Sequence, residues 1–429
     1  MGPLRAALLA QLACLGAALN ARSRLLRAGA RGAALPPVHF VYATGCDDYQ
    51  LLHSVVLDHS WRAAGNRGRL TRVVAGCRTP AERELLARSP LRGSPDFAAF
   101  FAEGDLALVP RTGERYPARS RPHALAQWLE ATGPTEPVLA LLDPDFAFLR
   151  PLSEHPCLAR VRRGRMVSSA DWWDRWDGTS LDCGNGTGDL GLDCLPSFNS
   201  SFEPQYQTGP IWLMHPADLR ALLHDWASFT DLWPKVRDGL MREQYAFWLA
   251  AQRHGIPADF DSSLASNVPN ETGTLYALHY FGSYGYGAWG FHKSLASSGW
   301  YAQRFANSVP GPLSCGAPLL QEPPAAPAGQ PEAQAMVLLL PRASAALRAY
   351  REAYCPGEAA AFLRAGPAAF GLARTMQPRY CQLSGQLSGP ATRYRVEPGV
   401  APSWGSAQAL GGDSCSPQAQ APLAAGGRA

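Results

Sequence analysis

The chain has 429 residues, 39 Lys+Arg against 35 Asp+Glu for a net charge of +4, and 46% hydrophobic residues. That leaves room for one large domain or two ordinary ones with ample core. The near-balance of charge excludes a dedicated nucleic-acid binder, because most of the basic excess is Arg within the first 31 residues.

Residues 1–46 contain no acidic side chain, and Leu8–Leu19 within them is an uncharged apolar segment following Arg5. It falls short of the about 20 residues of a comfortable bilayer span and suits the apolar region of a signal peptide, with Gly16-Ala17-Ala18 as small residues for cleavage. A short signal anchor is a second reading, opposed by Arg22, Arg24, Arg27 and Arg31 just after the segment. An Arg-rich, acid-free leader also resembles an organellar transit peptide. Residues 1–37 are therefore expected to be a signal peptide or short anchor plus stem, with entry into the secretory pathway (Golgi or ER lumen). Two features support that route. The ten Cys include no Cys-x-x-Cys pair, so disulfides are the expected use, with Cys183 and Cys194 as one candidate pair. Sequons for N-glycosylation occur at Asn185, Asn199 and Asn270.

From residue 38 the pattern is α/β. Val38–Thr44 is a β-branched and aromatic run that predicts a first strand, and Asp48–Ala64 a helix with Leu51, Leu52, Val55, Val56 and Leu57 as its apolar stripe, ended by Gly65-Asn66. Leu70–Val74 predicts a second strand, Pro80–Ala87 a short helix, and Leu106–Val109 a third strand. Pro122–Ala131 fits a helix with Pro in its first turn, leading into the apolar run Val138–Leu142. Strands alternating with helices imply a mostly parallel sheet with right-handed crossovers. Asp171–Pro204 reads as an irregular Trp-rich insertion whose Trp172, Trp173 and Trp176 are candidates for acceptor contact. Helices are predicted over Pro216–Trp226 and Leu240–His254, and a last strand over Leu275–Phe281 before the Gly-rich 282–287. Tyr245, Phe247 and Trp248 read as core. Beyond a catalytic domain over 38–305, residues 306–335 read as a Pro/Ala-rich linker, 336–400 as a small appendage, and 401–429 as a disordered tail.

The chemistry centres on Asp143-Pro144-Asp145, which follows that apolar run. Five apolar residues are too few for a helix stripe and read as a strand buried on both faces, and open α/β sheets bind ligands at the carboxyl ends of their strands. Two carboxylates there repel unless a positive charge lies between them. A hard divalent cation holding phosphate oxygens satisfies both requirements, the pattern of a sugar-nucleotide transferase. The bland alternative is a pair of turn carboxylates.

Motifs in order complete the constellation: Val38–Gln50, Leu70–Cys77, Tyr116–Pro122, Leu141–Phe146, Met214–Arg220, Glu243–Tyr245, Leu278–Tyr280 and Trp289–Lys293. Together they resemble the plant and algal hydroxyproline O-arabinosyltransferases and peptidyl-serine α-galactosyltransferases, secretory enzymes of the GT-A (Rossmann-like) fold. Pro144 stands where Ala is usual, and the Trp-rich insertion and C-terminal third have no counterpart. By this resemblance Asp143 and Asp145 hold Mn²⁺ or Mg²⁺. His279, an imidazole that Mn²⁺ accepts more readily than Ca²⁺ does, would complete the shell. Lys293 would neutralise the leaving diphosphate, Arg121 would reach the donor phosphates or ribose, and Thr44 would line the donor site. Glu243 would face the reaction centre, stabilising an oxocarbenium-like sugar or accepting the acceptor's proton. Met214 and His215 would line the pocket, His215 more as a structural residue, and Cys46 would pair with Cys77.

The resemblance implies a metal-dependent transferase moving galactose or arabinofuranose from a UDP-sugar to Ser or hydroxyproline hydroxyls of a Ser/Pro-rich protein or peptide, with retention as in the galactosyl branch. The alternatives are a non-catalytic secreted sugar- or nucleotide-binding protein on a transferase fold, and a phosphohydrolase using the Asp pair, which would want more carboxylates or His nearby than Glu154 and His155.

Overall fold

The computed structural model describes residues 35–170, 204–232, 242–269, 274–281, 283–286 and 289–292, most of 325–355, and the isolated positions 313 and 315. The leader, the insertion from 171 to 203, all three sequons, Lys293 and the tail lie outside these residues.

In chain order the elements are β1 (Val38–Gly45), α1 (Asp48–Ala63), β2 (Arg69–Ala75), α2 (Pro80–Leu86), β3 (Phe97–Ala102), α3 (Ser120–Thr132), β4 (Val138–Leu142), β5 (Phe146–Phe148), β6 (Met166–Ala170) and β7 (Thr208–Met214). They continue with α4 (Pro216–Leu232), α5 (Arg242–Arg253), β8 (Ala258–Phe260), β9 (Ala265–Ser266), β10 (Ala277–His279), β11 (Ser283–Tyr286), β12 (Trp289–His292) and α6 (Pro331–Tyr354). Local chemistry sets several boundaries. The Asp47 carboxylate caps α1 by accepting from the Gln50 amide. Thr79 and Glu82 form a reciprocal capping box on α2. Gly133, at φ 54°, ends α3 in the left-handed region with its N–H on the Leu129 carbonyl. Gly68 allows β2 to start against β1, since a Cβ there would lie 2.1 Å from the Val38 carbonyl oxygen.

The main sheet has seven strands in the order β3-β2-β1-β4-β7-β6-β8. β3, β2, β1 and β4 run parallel, β7 is antiparallel to both β4 and β6, and β8 is parallel to β6. This is the mostly parallel α/β architecture read from the sequence. The third strand is a correction. Phe97–Ala102, at the sheet edge, is the third strand in place of Leu106–Val109, which instead forms a turn where Val109 N–H bonds to the Glu114 carbonyl. β10 is shorter than expected and leaves the main sheet, pairing with β5 and β9 in a three-stranded sheet.

Strand alternation divides the core. Val41, Leu139 and Leu141 join Trp128, Trp212, Trp226 and Phe247 on one face. Phe40, Tyr42, Ala140 and Leu142 join Leu57, Trp61, Phe146 and Phe148 on the other. Burial of β4 on both faces explains why Val138–Leu142 is apolar without a break. Tyr245, Phe247 and Trp248 are core, as read.

A polar knot crosses this packing. Arg72, fully buried on β2, pairs with the equally buried Asp58 of α1. It also donates to the Tyr42 hydroxyl at 2.8 Å and to the Leu86 and Arg88 carbonyls at 2.5 and 3.0 Å. Tyr42 and Ser89 hydroxyls each donate to Asp58 at 2.6 Å. Both charges are thus hydrogen-bonded as well as paired, the condition for tolerating them in the interior.

α6 begins inside the stretch expected to be linker and runs through the start of the expected appendage. Its Met336, Leu339, Leu340, Ala343 and Leu347 pack with Leu51, Leu52, Val55 and Val56 of α1. Disulfides join Cys46 to Cys77, with Cα atoms 5.1 Å apart at the ends of β1 and β2, and Cys315 to Cys355 beyond α6. Among the described residues no helix is long and apolar enough to cross a membrane.

Candidate active site

The strand order reverses direction between β1 and β4, which makes the carboxyl ends of these neighbours the natural crevice of the sheet. Asp143 leaves β4 there, and Pro144-Asp145 turns the chain into β5. β10 lies antiparallel to β5 with His279 opposite Phe146, and the Tyr280 amide extends the ladder to the Asp145 carbonyl at 3.0 Å. This register brings His279 to the carboxylates. Its Nε2 lies 3.3 Å from Asp145 Oδ1 and 3.7 Å from Asp143 Oδ2, while the ring stacks on Phe146 at 4.8 Å. One ligand atom from each of the three residues falls within 4.8 Å of the others. Two carboxylate oxygens and one imidazole suit Mn²⁺ or Mg²⁺, with the imidazole favouring Mn²⁺. The donor set therefore fits a divalent cation.

Arg121 comes from the first turn of α3. Its Nη1 lies 2.6 Å from Asp143 Oδ1 and 3.8 Å from Glu243 Oε2, and Nη2 donates to the Leu142 carbonyl at 3.3 Å. Its guanidinium stacks on Trp212 at 4.4 Å. One positive charge thus stands between two carboxylates on the crevice wall.

Glu243 opens α5 and is fixed through its backbone. Its N–H donates to the Tyr116 hydroxyl at 3.0 Å, and its carbonyl accepts from Trp226 Nε1 at 2.9 Å. The residue is 6% exposed, and Oε1 is buried without a hydrogen-bond partner among the described residues. Burial pushes the carboxyl pKa up to about 7; Arg121 opposes the rise and the Asp143 charge adds to it. Arg242 does not pair with Glu243. It reaches Glu114 at 3.2 Å and covers the Tyr116 ring.

Thr44 is buried at the carboxyl end of β1, its hydroxyl donating to the Gly45 carbonyl at 2.8 Å. Asp143, Asp145, His279, Arg121 and Glu243 are brought together, whereas Lys293 lies outside the described residues. Met214 and His215 do not line the pocket, which is a correction, while His215 has the structural role read for it. β7 runs antiparallel to β4 with Met214 opposite Leu139, so His215 emerges at the sheet edge remote from Asp143. There its Nδ1 accepts from the Ala217 amide at the start of α4. Sequence reasoning missed Trp212 and Trp226 as neighbours of Arg121, because nothing in their spacing separates a cation platform from core.

A second cluster, His155, Cys157 and Asp261, also has metal-ligand composition. It is internally satisfied. His155 Nδ1 accepts from the Cys157 amide at 3.0 Å, its Nε2 meets Ser263 Oγ at 2.9 Å, and Asp261 pairs with Arg160 at 2.5 Å. Burial pushes the Cys157 thiol up to about 12, so it is protonated and a poor ligand.

No family model matches the chain. A peptidyl serine alpha-galactosyltransferase of Chlamydomonas reinhardtii is 25% identical over 199 residues, covering 45% of this chain and 25% of the relative. One from Arabidopsis thaliana is 25% identical over 279 residues, covering 60% of this chain and 31% of the relative. The chain thus matches about a quarter to a third of the length of these relatives. Among solved structures, the galactosyltransferase LgtC in complex with donor and acceptor sugar analogs matches at TM-score 0.35 and 15% identity, over 63% of this chain and 97% of that one. The WbbM bifunctional glycosyltransferase matches at TM-score 0.35 and 12% identity, over 58% of this chain and 46% of that one. The chain is thus similar, over part of its length, to proteins named peptidyl serine alpha-galactosyltransferase.

Proposed function

We propose that the chain is a metal-dependent glycosyltransferase of the secretory pathway. It moves galactose or arabinofuranose from a UDP-sugar to a Ser or hydroxyproline hydroxyl in a Ser/Pro-rich secreted protein, with retention of anomeric configuration. The observation that carries this reading is the meeting of Asp143, Asp145 and His279 at the carboxyl end of β4, with Arg121 and the buried Glu243 alongside. Asp143, Asp145 and His279 would hold the cation, which when bound offsets the charge that develops on the departing diphosphate.

The chain's own groups supply the rest. Transfer breaks the bond from the anomeric carbon to the phosphate oxygen, forms one to the acceptor oxygen, and releases UDP and the hydroxyl proton. Glu243, with its orphaned Oε1 and a pKa of about 7, is suited to take that proton at neutral pH. Arg121 keeps the Glu243 and Asp143 carboxylates from repelling one another before the donor arrives. Thr44 lies on the β1 side of the same crevice, and Lys293 is assigned to the leaving diphosphate.

The test is transfer from UDP-galactose and UDP-arabinofuranose to Ser- and hydroxyproline-rich peptides with Mn²⁺, read as a hexose or pentose mass added to the peptide. Asp145→Ala should slow transfer by at least about 10²- to 10³-fold, the usual cost of one transition-state electrostatic contact, while leaving metal-free melting near wild type. Transfer unaffected by chelator, or full activity in Asp145→Ala, overturns the reading.

A further inference from the structure

His279 is held by a short strand, and what lies behind that strand comes from a part of the chain outside the motifs of the site. Side chains alternate along β10, so Leu278 and Tyr280 project away from the face that carries His279. They enter a buried cluster with Ala147 of β5, Tyr284 of β11, and Ala335, Met336, Leu339, Leu340 and Ala343 of α6. Tyr280 and Tyr284 are each 2% exposed. The Tyr284 hydroxyl donates to the Asn267 carbonyl at 2.7 Å and lies 3.4 Å from the His279 carbonyl. It therefore links the exit of β9 to the exit of β10, two parallel partners in the small sheet. α6 is secured at its far end, where the Tyr354 hydroxyl meets both the amide and the carbonyl of Ser89, at 3.0 and 3.2 Å, and Cys355 is bonded to Cys315.

We propose that α6 is a supporting wall of the cation site, and that Tyr284 is the positioning residue through which it fixes His279 against Asp143 and Asp145. This rests on the metal-dependent reading of those three residues. A histidine on a three-residue strand has little rigidity of its own. With α6 packed behind it, the imidazole is presented at the register that the Tyr280 amide sets by bonding to the Asp145 carbonyl. Preorganisation of this kind is felt in affinity for the ion, because the ligand geometry no longer has to be ordered on binding.

The experiment compares Tyr284→Phe and Leu339→Ala with Leu129→Ala, a core truncation on α3 in the other hydrophobic cluster. Two quantities are read on the full chain: the Mn²⁺ dissociation constant from the resonance of the free ion, and hydrogen exchange of the Tyr280 amide in metal-free protein. Tyr284→Phe keeps the ring and removes one hydrogen bond, so Mn²⁺ should bind about fivefold more weakly and the Tyr280 amide should exchange faster. Leu339→Ala should move both quantities in the same direction, and Leu129→Ala should lower the melting temperature with Mn²⁺ affinity unchanged. Wild-type Mn²⁺ affinity in Tyr284→Phe and Leu339→Ala overturns the proposal and leaves the cation site standing. A wild-type chain that binds no Mn²⁺ overturns both.

Discussion

Glu243 offers a measurement in which stability and catalysis should move in opposite directions. Its carboxyl ordinarily titrates near 4.5 and is raised to about 7 in the folded chain by burial. A folded value above the unfolded one means that the native state binds the proton more tightly. The contribution to stability is therefore complete below the unfolded value and is lost as pH rises through about 7. The interval from 4.5 to about 7, at about 1.4 kcal/mol per pH unit, amounts to roughly 3 kcal/mol. Gln has the same shape and no ionisation, so Glu243→Gln should match the wild type near pH 4.5. By pH 8 it should exceed the wild type by about 3 kcal/mol, because it no longer forces a charge into a site where Oε1 has no partner. Urea unfolding of metal-free protein at several pH values gives the difference directly. The same substitution should slow sugar transfer by about 10²-fold or more, the scale of a lost general base. Parallel stability profiles for the two proteins across pH 4.5 to 8 would refute the buried, proton-holding carboxyl.

Arg72→Met should destabilise the chain by about 3–5 kcal/mol in urea unfolding, because it leaves the buried Asp58 without its partner; a loss below about 1 kcal/mol would show the pair to be dispensable. Peptide mapping under non-reducing conditions should recover Cys46 with Cys77 and Cys315 with Cys355. Replacing the first pair by Ser should cost about 3–4 kcal/mol for a loop of this length. Expression in a eukaryotic cell should give forms whose mobility shifts on endoglycosidase treatment, through glycans on some of Asn185, Asn199 and Asn270. Product without N-glycans, lodged in an organelle, would overturn the proposed secretory route.

The parallel half of the sheet was legible because its central strands are buried on both faces: Val138–Leu142 is an uninterrupted apolar run, and Val38–Thr44 and Leu70–Val74 are rich in β-branched, aromatic and apolar residues despite His39, Thr71 and Arg72. β3 is itself an apolar run, but three of its six residues are Ala, which has low strand propensity. It is an edge strand of intermediate burial, whereas Leu106–Val109 is apolar because Val109 tucks into the core from a turn. α6 does carry a helical period in Met336, Leu339, Leu340, Ala343 and Leu347, but Pro341 and the Pro/Ala-rich stretch before it concealed that pattern. At the site, the Asp pair could be placed because it follows a recognisable strand. The Arg121–Asp143 contact joins residues from separate elements through tertiary packing, which no spacing encodes. The position of His215 depended on the direction of β7, and an antiparallel strand within a parallel series sends its carboxyl end to the opposite edge.

Cys157 has a consequence for how the chain oxidises. Among the described residues it is the free thiol, beside two formed disulfides. Exchange between a thiol and a disulfide proceeds through the thiolate. With its pKa pushed up to about 12, only about one Cys157 side chain in 10⁵ is ionised at pH 7, and the folded protein shields even that fraction. Once the β6 end of the fold has closed over it, Cys157 is withdrawn from competition for partners. The two cross-links among the described residues are then protected from reshuffling by the same burial that stabilises the core.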